Sequence, residues 1–221
     1  MPAARIAVLA SGGGSNLQCI IEHFSKAPAC DVGKIVLVGS NHAGSGALQR
    51  AQVEGIATHF IDDATNGAAL LGALNGVHAD LLVLAGYLKL VPPAVVHAFN
   101  GRMLNVHPAL LPAFGGHGMY GRRVHEAVIA SGAKISGVTV HFVNMEFDCG
   151  PIAAQWPVSV LAKDTAEVLA ARVLRVEHLL YPAVIEAVAG GAIAVGANGR
   201  VNGALPATSR FATSVPDLFL T

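Results

Sequence analysis

The chain has 221 residues, of which 53% are hydrophobic and 13% charged, and its 14 Lys and Arg balance its 14 Asp and Glu. This length fits one fairly large domain that buries a core without disulfides or metals. A net charge near zero argues against a nucleic-acid partner, because nucleic-acid binding normally needs a basic surface. The three cysteines, Cys19, Cys30 and Cys149, fit neither a CxxC site nor a disulfide framework, and they indicate a reducing compartment.

The N-terminus, MPAARIAVLASGGGSN, has a short apolar run that the glycines soon end. A signal-peptide core needs about 7–15 apolar residues and a membrane-spanning helix about 20. Gly, Pro, Asn or Asp interrupts the apolar runs elsewhere in the chain. We therefore expect a cytoplasmic protein that does not interact with membranes.

Short runs of β-branched residues and Leu alternate with Ala- and Leu-rich segments from the N-terminus to about residue 107. The predicted strands are RIAVLA, KIVLVGS, ATHFID, ADLLVLAG and GRMLNV, and the first three are each followed by a helical segment. Such alternation is typical of βαβ units, which build a mainly parallel sheet with helices on both faces. The sequence thus predicts a doubly wound, Rossmann-like α/β fold.

The pattern changes after residue 134. SGVTVHFVN and PIAAQWPVSV, joined by MEFDCG, predict two antiparallel strands added to the sheet. Residues 163–191 predict one long helix, with Asp164 as its N-cap, Gly190 and Gly191 at its end, and Pro182 as a site of kinking or division. Residues 191–221 contain an Asn-Gly turn signal, and we expect a C-terminal hairpin and tail outside a main domain of residues 1–190.

A glycine-rich loop, ASGGGSNLQ, connects the first predicted strand to the first helix. The backbone N–H groups of such a loop and of a helix N-terminus attract an anion. A dinucleotide fingerprint would need a glycine at Leu17 and an acidic residue ending the second strand, and a Walker A loop would need Lys before Ser or Thr. Two interpretations remain: a phosphate bound around Gly14, Ser15 and Asn16, or a tight turn with an N-cap.

Asn105 and His107 stand two residues apart in RMLNVHP, where the fifth predicted strand ends. Strand side chains at i and i+2 share a face. Asp148, in FDCGPI, lies in the connection between the two late strands. Each residue alone also fits a structural role, as a strand-end cap, a buried histidine or a turn residue.

Together, these three side chains at the carboxyl edge of a parallel sheet form a candidate acyl-transfer site. An amide and an imidazolium can stabilise an oxyanion, and a carboxylate can assist proton transfer. No Ser or Cys occupies a nucleophile elbow such as GxSxG. The nucleophile should therefore belong to the substrate.

Several motifs resemble, in order and spacing over about residues 5–190, the phosphoribosylglycinamide formyltransferase family: VLASGGGSNLQ, LLVLAGYLKLVP, NVHPALLPAFGGHGMYG, VTVHFV, DCGPI and RVLRVEHLLYP. This resemblance implies transfer of the formyl group of 10-formyltetrahydrofolate, a co-substrate, to the amine of glycinamide ribonucleotide in purine synthesis. It also implies the formyltransferase version of the Rossmann-like fold.

Two relatives in the same superfamily are alternatives: a 10-formyltetrahydrofolate hydrolase, which usually has an additional N-terminal regulatory domain, and a methionyl-tRNA formyltransferase, which usually has a long basic C-terminal domain. We expect neither additional domain in this chain. Two alternatives lie outside the family. A nicotinamide-dependent oxidoreductase would need the dinucleotide fingerprint that this sequence lacks. A non-catalytic phosphate-binding protein would not need Asn105, His107 and Asp148.

The resemblance also implies roles for individual residues. The implied catalytic residues are Asn105, His107 and Asp148, with His141 supporting them. The implied binding residues for the acceptor substrate are Gly14, Ser15, Asn16 and Glu177. Leu88, Lys89 and Val91 fall in the folate-binding segment, and the backbone of residues 144–148 is expected to receive the pterin.

Three further expectations concern the surroundings of this site. GGHGMYGRRVHEA is expected to be a variable loop, of which residues 114–122 close over the substrate. The segment HEAVI lacks the second histidine of HExxH, so no catalytic metal is expected. We expect a monomer or a homodimer.

Overall fold

The computed structural model describes residues 2–206. Its central sheet has seven strands: β1 (Ala4–Leu9), β2 (Gly33–Ser40), β3 (Thr58–Phe60), β4 (Leu81–Leu84), β5 (Met103–His107), β6 (Ile135–Phe142) and β7 (Ile152–Ser159). The strand order is β3-β2-β1-β4-β5-β6-β7. The first five strands pair parallel, β6 pairs antiparallel with β5, and β7 pairs antiparallel with β6. The predicted doubly wound sheet with late antiparallel strands is confirmed.

The helices are α1 (Ser15–Phe24), α2 (Ala29–Val32), α3 (Gly46–Val53), α4 (Gly67–Gly76), α5 (Pro93–Ala98), α6 (Arg122–Ala130) and α7 (Ala166–Ala189). Helices α2, α5 and α6 were not predicted from the sequence. The first two are short, and α6 directly follows a glycine-rich run. The prediction of a loop through GGHGMYGRRVHEA is therefore wrong from Arg122 onward. Within residues 2–206, no helix is both long and apolar enough to cross a membrane.

A second, two-stranded sheet lies after α7. Its strands, β8 (Ile193–Val195) and β9 (Val201–Gly203), pair antiparallel, as the predicted hairpin requires. The predicted tail continues through residues 207–221, which lie outside the described part of the chain. The division into a domain of residues 1–190 and an appendage stays a prediction.

Helix α7 runs through Pro182 as one helix of 24 residues. Its N-cap is Thr165, whose hydroxyl accepts a hydrogen bond from the Val168 N–H at 3.4 Å. The prediction of Asp164 as the cap is thus wrong by one residue. The Asp164 carboxylate instead forms two short hydrogen bonds, of 2.6 and 2.8 Å, with the Arg172 guanidinium.

Apolar layers cover both faces of the sheet because strand side chains alternate in direction. In β1, Ile6 and Val8 belong to the larger core, which α1 and α7 complete. Ala7 and Leu9, from the same strand, belong to a second core that α4 and α5 complete. The sheet is therefore buried in its middle between these two cores.

Tyr181 ties α7 to the strands that carry the polar cluster. Its side chain is fully buried, and its hydroxyl lies 3.0 Å from the Leu84 carbonyl and 3.1 Å from the Leu104 carbonyl, to which it donates. Because these carbonyls belong to neighbouring strands, one hydroxyl anchors the helix against both β4 and β5.

Tyr181→Phe is expected to lower the free energy of unfolding by about 1–2 kcal/mol, since it removes a buried donor from two carbonyls. Urea unfolding measures this loss. Tyr87→Phe is the matched control, because the Tyr87 hydroxyl is buried with no partner within residues 2–206. The control should keep or raise the stability, and equal losses in the two variants would contradict the anchoring role.

Candidate active site

The site begins where β5 extends past the end of β4. Leu84, the last residue of β4, pairs with Asn105, and β5 continues for two more residues to His107. The other neighbour of β5 is β6, which pairs with it antiparallel. In this pairing Asn105 lies opposite His141, and His107 lies opposite Thr139. The strand period of two therefore places Asn105 and His107 on one face at the edge of the sheet.

Asp148 reaches this edge from the connection between β6 and β7, and Phe114 reaches it from the loop after β5. Both residues have left-handed backbone, with φ of 56° and 58°. This conformation is uncommon outside glycine and costs on the order of 1 kcal/mol or more. The chain thus accepts backbone strain at the two residues that contact His107, which is common at functional sites.

His107 is held from two sides. Its Nε2–H donates to the Phe114 carbonyl at 2.9 Å. Its Nδ1 lies 3.5 Å from Asp148 Oδ2, a distance that allows ionic attraction but is long for a direct hydrogen bond. The Gly116 N–H donates to the same carboxylate oxygen at 2.9 Å and holds it in place.

Asn105 is oriented by His141. The His141 Nδ1 lies 2.9 Å from the Phe142 carbonyl, to which it donates, so in this tautomer Nε2 is an acceptor. Asn105 Nδ2 lies 3.1 Å from this Nε2 and donates to it. An amide nitrogen carries two hydrogens, so Asn105 keeps a second N–H for another acceptor.

Burial and neighbouring charges shift the pKa values of this cluster. Burial lowers the pKa of His107, and the Asp148 carboxylate and Phe114 carbonyl oppose this effect without reversing it. Burial alone would raise the pKa of Asp148, but the neighbouring rings of His141, whose Nε2 lies 3.6 Å from Oδ1, and of His107, together with the Gly116 N–H, hold it below its ordinary value. At neutral pH the site therefore combines a charged carboxylate with a neutral imidazole.

Asn105, His107 and Asp148 line a cleft of about 650 Å³, a size that suits a small-molecule ligand. One side of the cleft is the strand edge, residues 86–88 and 105–108. The loop 116–121 and residues of α6 and α7 also line the cleft. No group of three or more His, Cys, Asp or Glu side chains suited to a metal occurs within residues 2–206.

Two of the predicted acceptor-binding residues meet in this cleft. Asn16, in the first turn of α1, donates through Nδ2 to Glu177 Oε2 at 2.7 Å, and both side chains line the cleft. Burial raises the pKa of Glu177, and the hydrogen bond from Asn16 opposes part of that rise.

Gly14 and Ser15 do not line this cleft. Gly14 has φ of 75°, and a Cβ there would lie 2.9 Å from the Ala47 Cα. Glycine therefore lets the loop pack closely against α3.

The predicted folate segment is divided. Leu88 lines the cleft, while Lys89 and Val91 do not. Val91 is buried in the second core with Leu82 and Val95. The structure thus does not bring Lys89 and Val91 together with Asn105, His107 and Asp148.

Two buried polar residues that line the cleft were not predicted from the sequence. Tyr87 lies in the predicted folate segment, and His125 lies on α6. His125 was noted only for lacking the second histidine of a zinc motif. In a helix, His125 lies on the same face as Val124 and Val128. This apolar face would have predicted a buried histidine if α6 had been expected from the sequence.

The sheet order and the cluster of amide, imidazole and carboxylate at its edge define a class of group-transfer proteins. The family model described as formyl transferase matches residues 4–185, and the chain belongs to this family.

Curated relatives and solved structures narrow the similarity. The chain is 46% identical over 191 residues to a chloroplastic phosphoribosylglycinamide formyltransferase of Arabidopsis thaliana, covering 83% of this chain and 65% of the relative. It is 38% identical over 196 residues to the phosphoribosylglycinamide formyltransferase of Escherichia coli K12, covering 84% and 87%. A crystal structure of the enzyme of that name from Anaplasma phagocytophilum superposes with a TM-score of 0.82 at 35% identity, covering 91% and 94%.

Proposed function

We propose that this protein transfers the formyl group of 10-formyltetrahydrofolate to the amine of glycinamide ribonucleotide, giving formylglycinamide ribonucleotide and tetrahydrofolate in purine synthesis. The observation that carries the proposal is the cluster of Asn105, His107 and Asp148 in a cleft that also holds the Asn16–Glu177 pair. The names of the relatives, similar over most of this chain, support the same activity.

In the proposed mechanism, the amine of the acceptor attacks the formyl carbon and negative charge develops on the formyl oxygen. The second N–H of Asn105 donates to this oxygen, because the first is committed to His141. The short contact with His141 keeps the amide from rotating away. Asn105 is thus pre-oriented before the charge develops.

His107 and Asp148 handle the proton in this mechanism. Since His107 is neutral in the free protein, its Nδ1 accepts the proton that the attacking amine releases. Asp148, 3.5 Å away, and the Phe114 carbonyl stabilise the resulting imidazolium. The imidazolium hydrogen-bonds the oxyanion and then gives the proton to the leaving folate nitrogen, so the ring is neutral again when the formyl group has moved.

The Asn16–Glu177 pair is proposed to bind the ribose end of the acceptor. A carboxylate suits ribose hydroxyls because it is an acceptor only. Glu177 is held by the hydrogen bond from Asn16, and both residues line the cleft. Gly14 and Ser15, at the free N-terminus of α1, are proposed to bind the phosphate, and Leu88, Lys89 and Val91 to form the folate-binding segment.

A 10-formyltetrahydrofolate hydrolase is the nearest alternative, and the transferase names of the relatives do not favour it. A non-catalytic phosphate-binding protein would gain nothing from the strained backbone at Phe114 and Asp148. The expected cytoplasmic location and the monomeric or homodimeric state remain part of this proposal.

The deciding experiment measures tetrahydrofolate release from 10-formyltetrahydrofolate with and without glycinamide ribonucleotide. We expect release only with the acceptor, in equal amount to formylglycinamide ribonucleotide. Turnover at the same rate without the acceptor would establish the hydrolase instead. No turnover in either case would refute both enzymes.

A further inference from the structure

Buried polar atoms without partners concentrate in the cleft. Within residues 2–206, five buried side-chain nitrogen or oxygen atoms have no hydrogen-bond partner: Asn16 Oδ1, Tyr87 Oη, His125 Nδ1, Ser136 Oγ and His178 Nε2. The first three belong to residues that line the cleft. Because buried polar groups are nearly always paired in native proteins, this concentration indicates groups that a ligand satisfies.

Of these three residues, Asn16 belongs to the proposed acceptor-binding pair and Tyr87 lies in the predicted folate segment, whereas His125 belongs to neither. Its side chain is only 4% exposed, and it borders the cleft from α6. Burial lowers its pKa, and the proximity of His107 lowers it further. The ring is therefore neutral at pH 7 and offers one donor and one acceptor.

The position of His125 points to the acceptor substrate rather than to the folate. Helix α6 packs against α7, and α7 carries Glu177. Of the predicted folate-binding residues, Leu88 lines this cleft, whereas Lys89 and Val91 lie outside it. His125 thus lies on the helix next to the one that carries Glu177, lines the same cleft, and lies close to His107 at the reacting centre.

We propose that His125 binds the acceptor substrate by hydrogen-bonding its glycinamide group, which connects the attacking amine to the ribose. This inference rests on the proposed function. The secondary amide offers both an N–H and a carbonyl, so the unpartnered Nδ1 of His125 finds a partner in it whichever nitrogen of the neutral ring carries the hydrogen. The hydrogen bond fixes the amine relative to Asn105 and His107.

His125→Leu tests the proposal, because leucine fills a similar volume without polar atoms. The Michaelis constant for glycinamide ribonucleotide is expected to rise about tenfold, the effect of one lost hydrogen bond, while that for 10-formyltetrahydrofolate stays within about twofold. The melting temperature of the free protein should stay or rise, because the imidazole Nδ1 has no partner to lose. The thermal stabilisation by glycinamide ribonucleotide should shrink.

His178→Leu is the matched control. His178 also has a buried nitrogen without a partner, but it does not line the cleft, so its variant should bind both substrates normally. His125→Gln, which keeps a donor and an acceptor, should recover part of the lost affinity.

Several outcomes would overturn the inference alone. In His125→Leu, these are normal kinetics or equal increases in both Michaelis constants. In His178→Leu, it is the same increase in the Michaelis constant for glycinamide ribonucleotide. The last is a lower melting temperature in His125→Leu together with normal acceptor binding in His125→Gln. In each, the wild-type protein still transfers the formyl group. A wild-type protein that neither formylates glycinamide ribonucleotide nor is stabilised by it would instead refute the proposed function, and the inference with it.

Discussion

Asp148→Asn is expected to lower kcat by about 10²–10⁴-fold, the range for loss of a positioned acid–base group. The substitution preserves the shape of the side chain but removes its charge. The imidazolium that forms on His107 then loses the carboxylate 3.5 Å from Nδ1. Steady-state formyl transfer with both substrates saturating measures the loss.

The pKa of His107 provides an independent readout of this variant. The Asp148 carboxylate raises this pKa against the lowering effect of burial, so its removal should lower the pKa further. An NMR titration of the His107 ring should therefore show protonation at a lower pH in the variant than in the wild type. A higher or unchanged pKa would contradict the assigned electrostatic role.

Asp31→Asn is the control for the same chemical change at an exposed position outside the cleft. It should keep kcat within about twofold of the wild-type value, as surface substitutions away from a site usually have small effects. Near-normal turnover of Asp148→Asn would remove Asp148 from the mechanism.

Asn105→Ala is expected to lower kcat by about 10²–10³-fold, the typical effect of losing one oxyanion donor. The Michaelis constants should change little, because the lost N–H contacts the formyl oxygen mainly when charge develops on it. Kinetic measurement of kcat and both Michaelis constants separates these effects. A rise in a Michaelis constant with normal kcat would assign Asn105 to ground-state binding instead.

Two measurements exclude a structural explanation of the Asn105 result. The melting temperature of Asn105→Ala shows whether the variant is folded, since His141 Nε2 loses its contact with the Asn105 amide. Asn100→Ala makes the same change at an exposed residue outside the cleft, and its kcat should match that of the wild type.

The spacing of polar residues within one strand was sufficient to place Asn105 and His107 side by side. A strand has a period of two residues, so no knowledge of distant contacts was needed. The alternation of strands with helices likewise predicted the parallel sheet, because each element carries its own hydrophobic pattern. The long helix α7 was predicted for the same reason, although its cap was misplaced by one residue.

Helix α6 shows where local pattern was insufficient. The glycines at positions 115, 116, 118 and 121 favour a loop. The apolar residues that follow them, such as Val124 and Val128, form too short a pattern to predict a helix. His125 was therefore not recognised as a residue of the cleft. Its burial depends on packing of α6 against α7, which involves residues distant in the chain.

By itself, the sequence determined the strands, the order of strand and helix, and the shared face of Asn105 and His107, because these depend on periodicity over a few residues. Only the tertiary structure decided that Asp148 and Phe114 reach His107 through left-handed backbone, that His141 orients Asn105, and that Lys89 and Val91 lie outside the cleft. These relations depend on strand register, loop conformation and helix packing, which arise from contacts between residues distant in sequence.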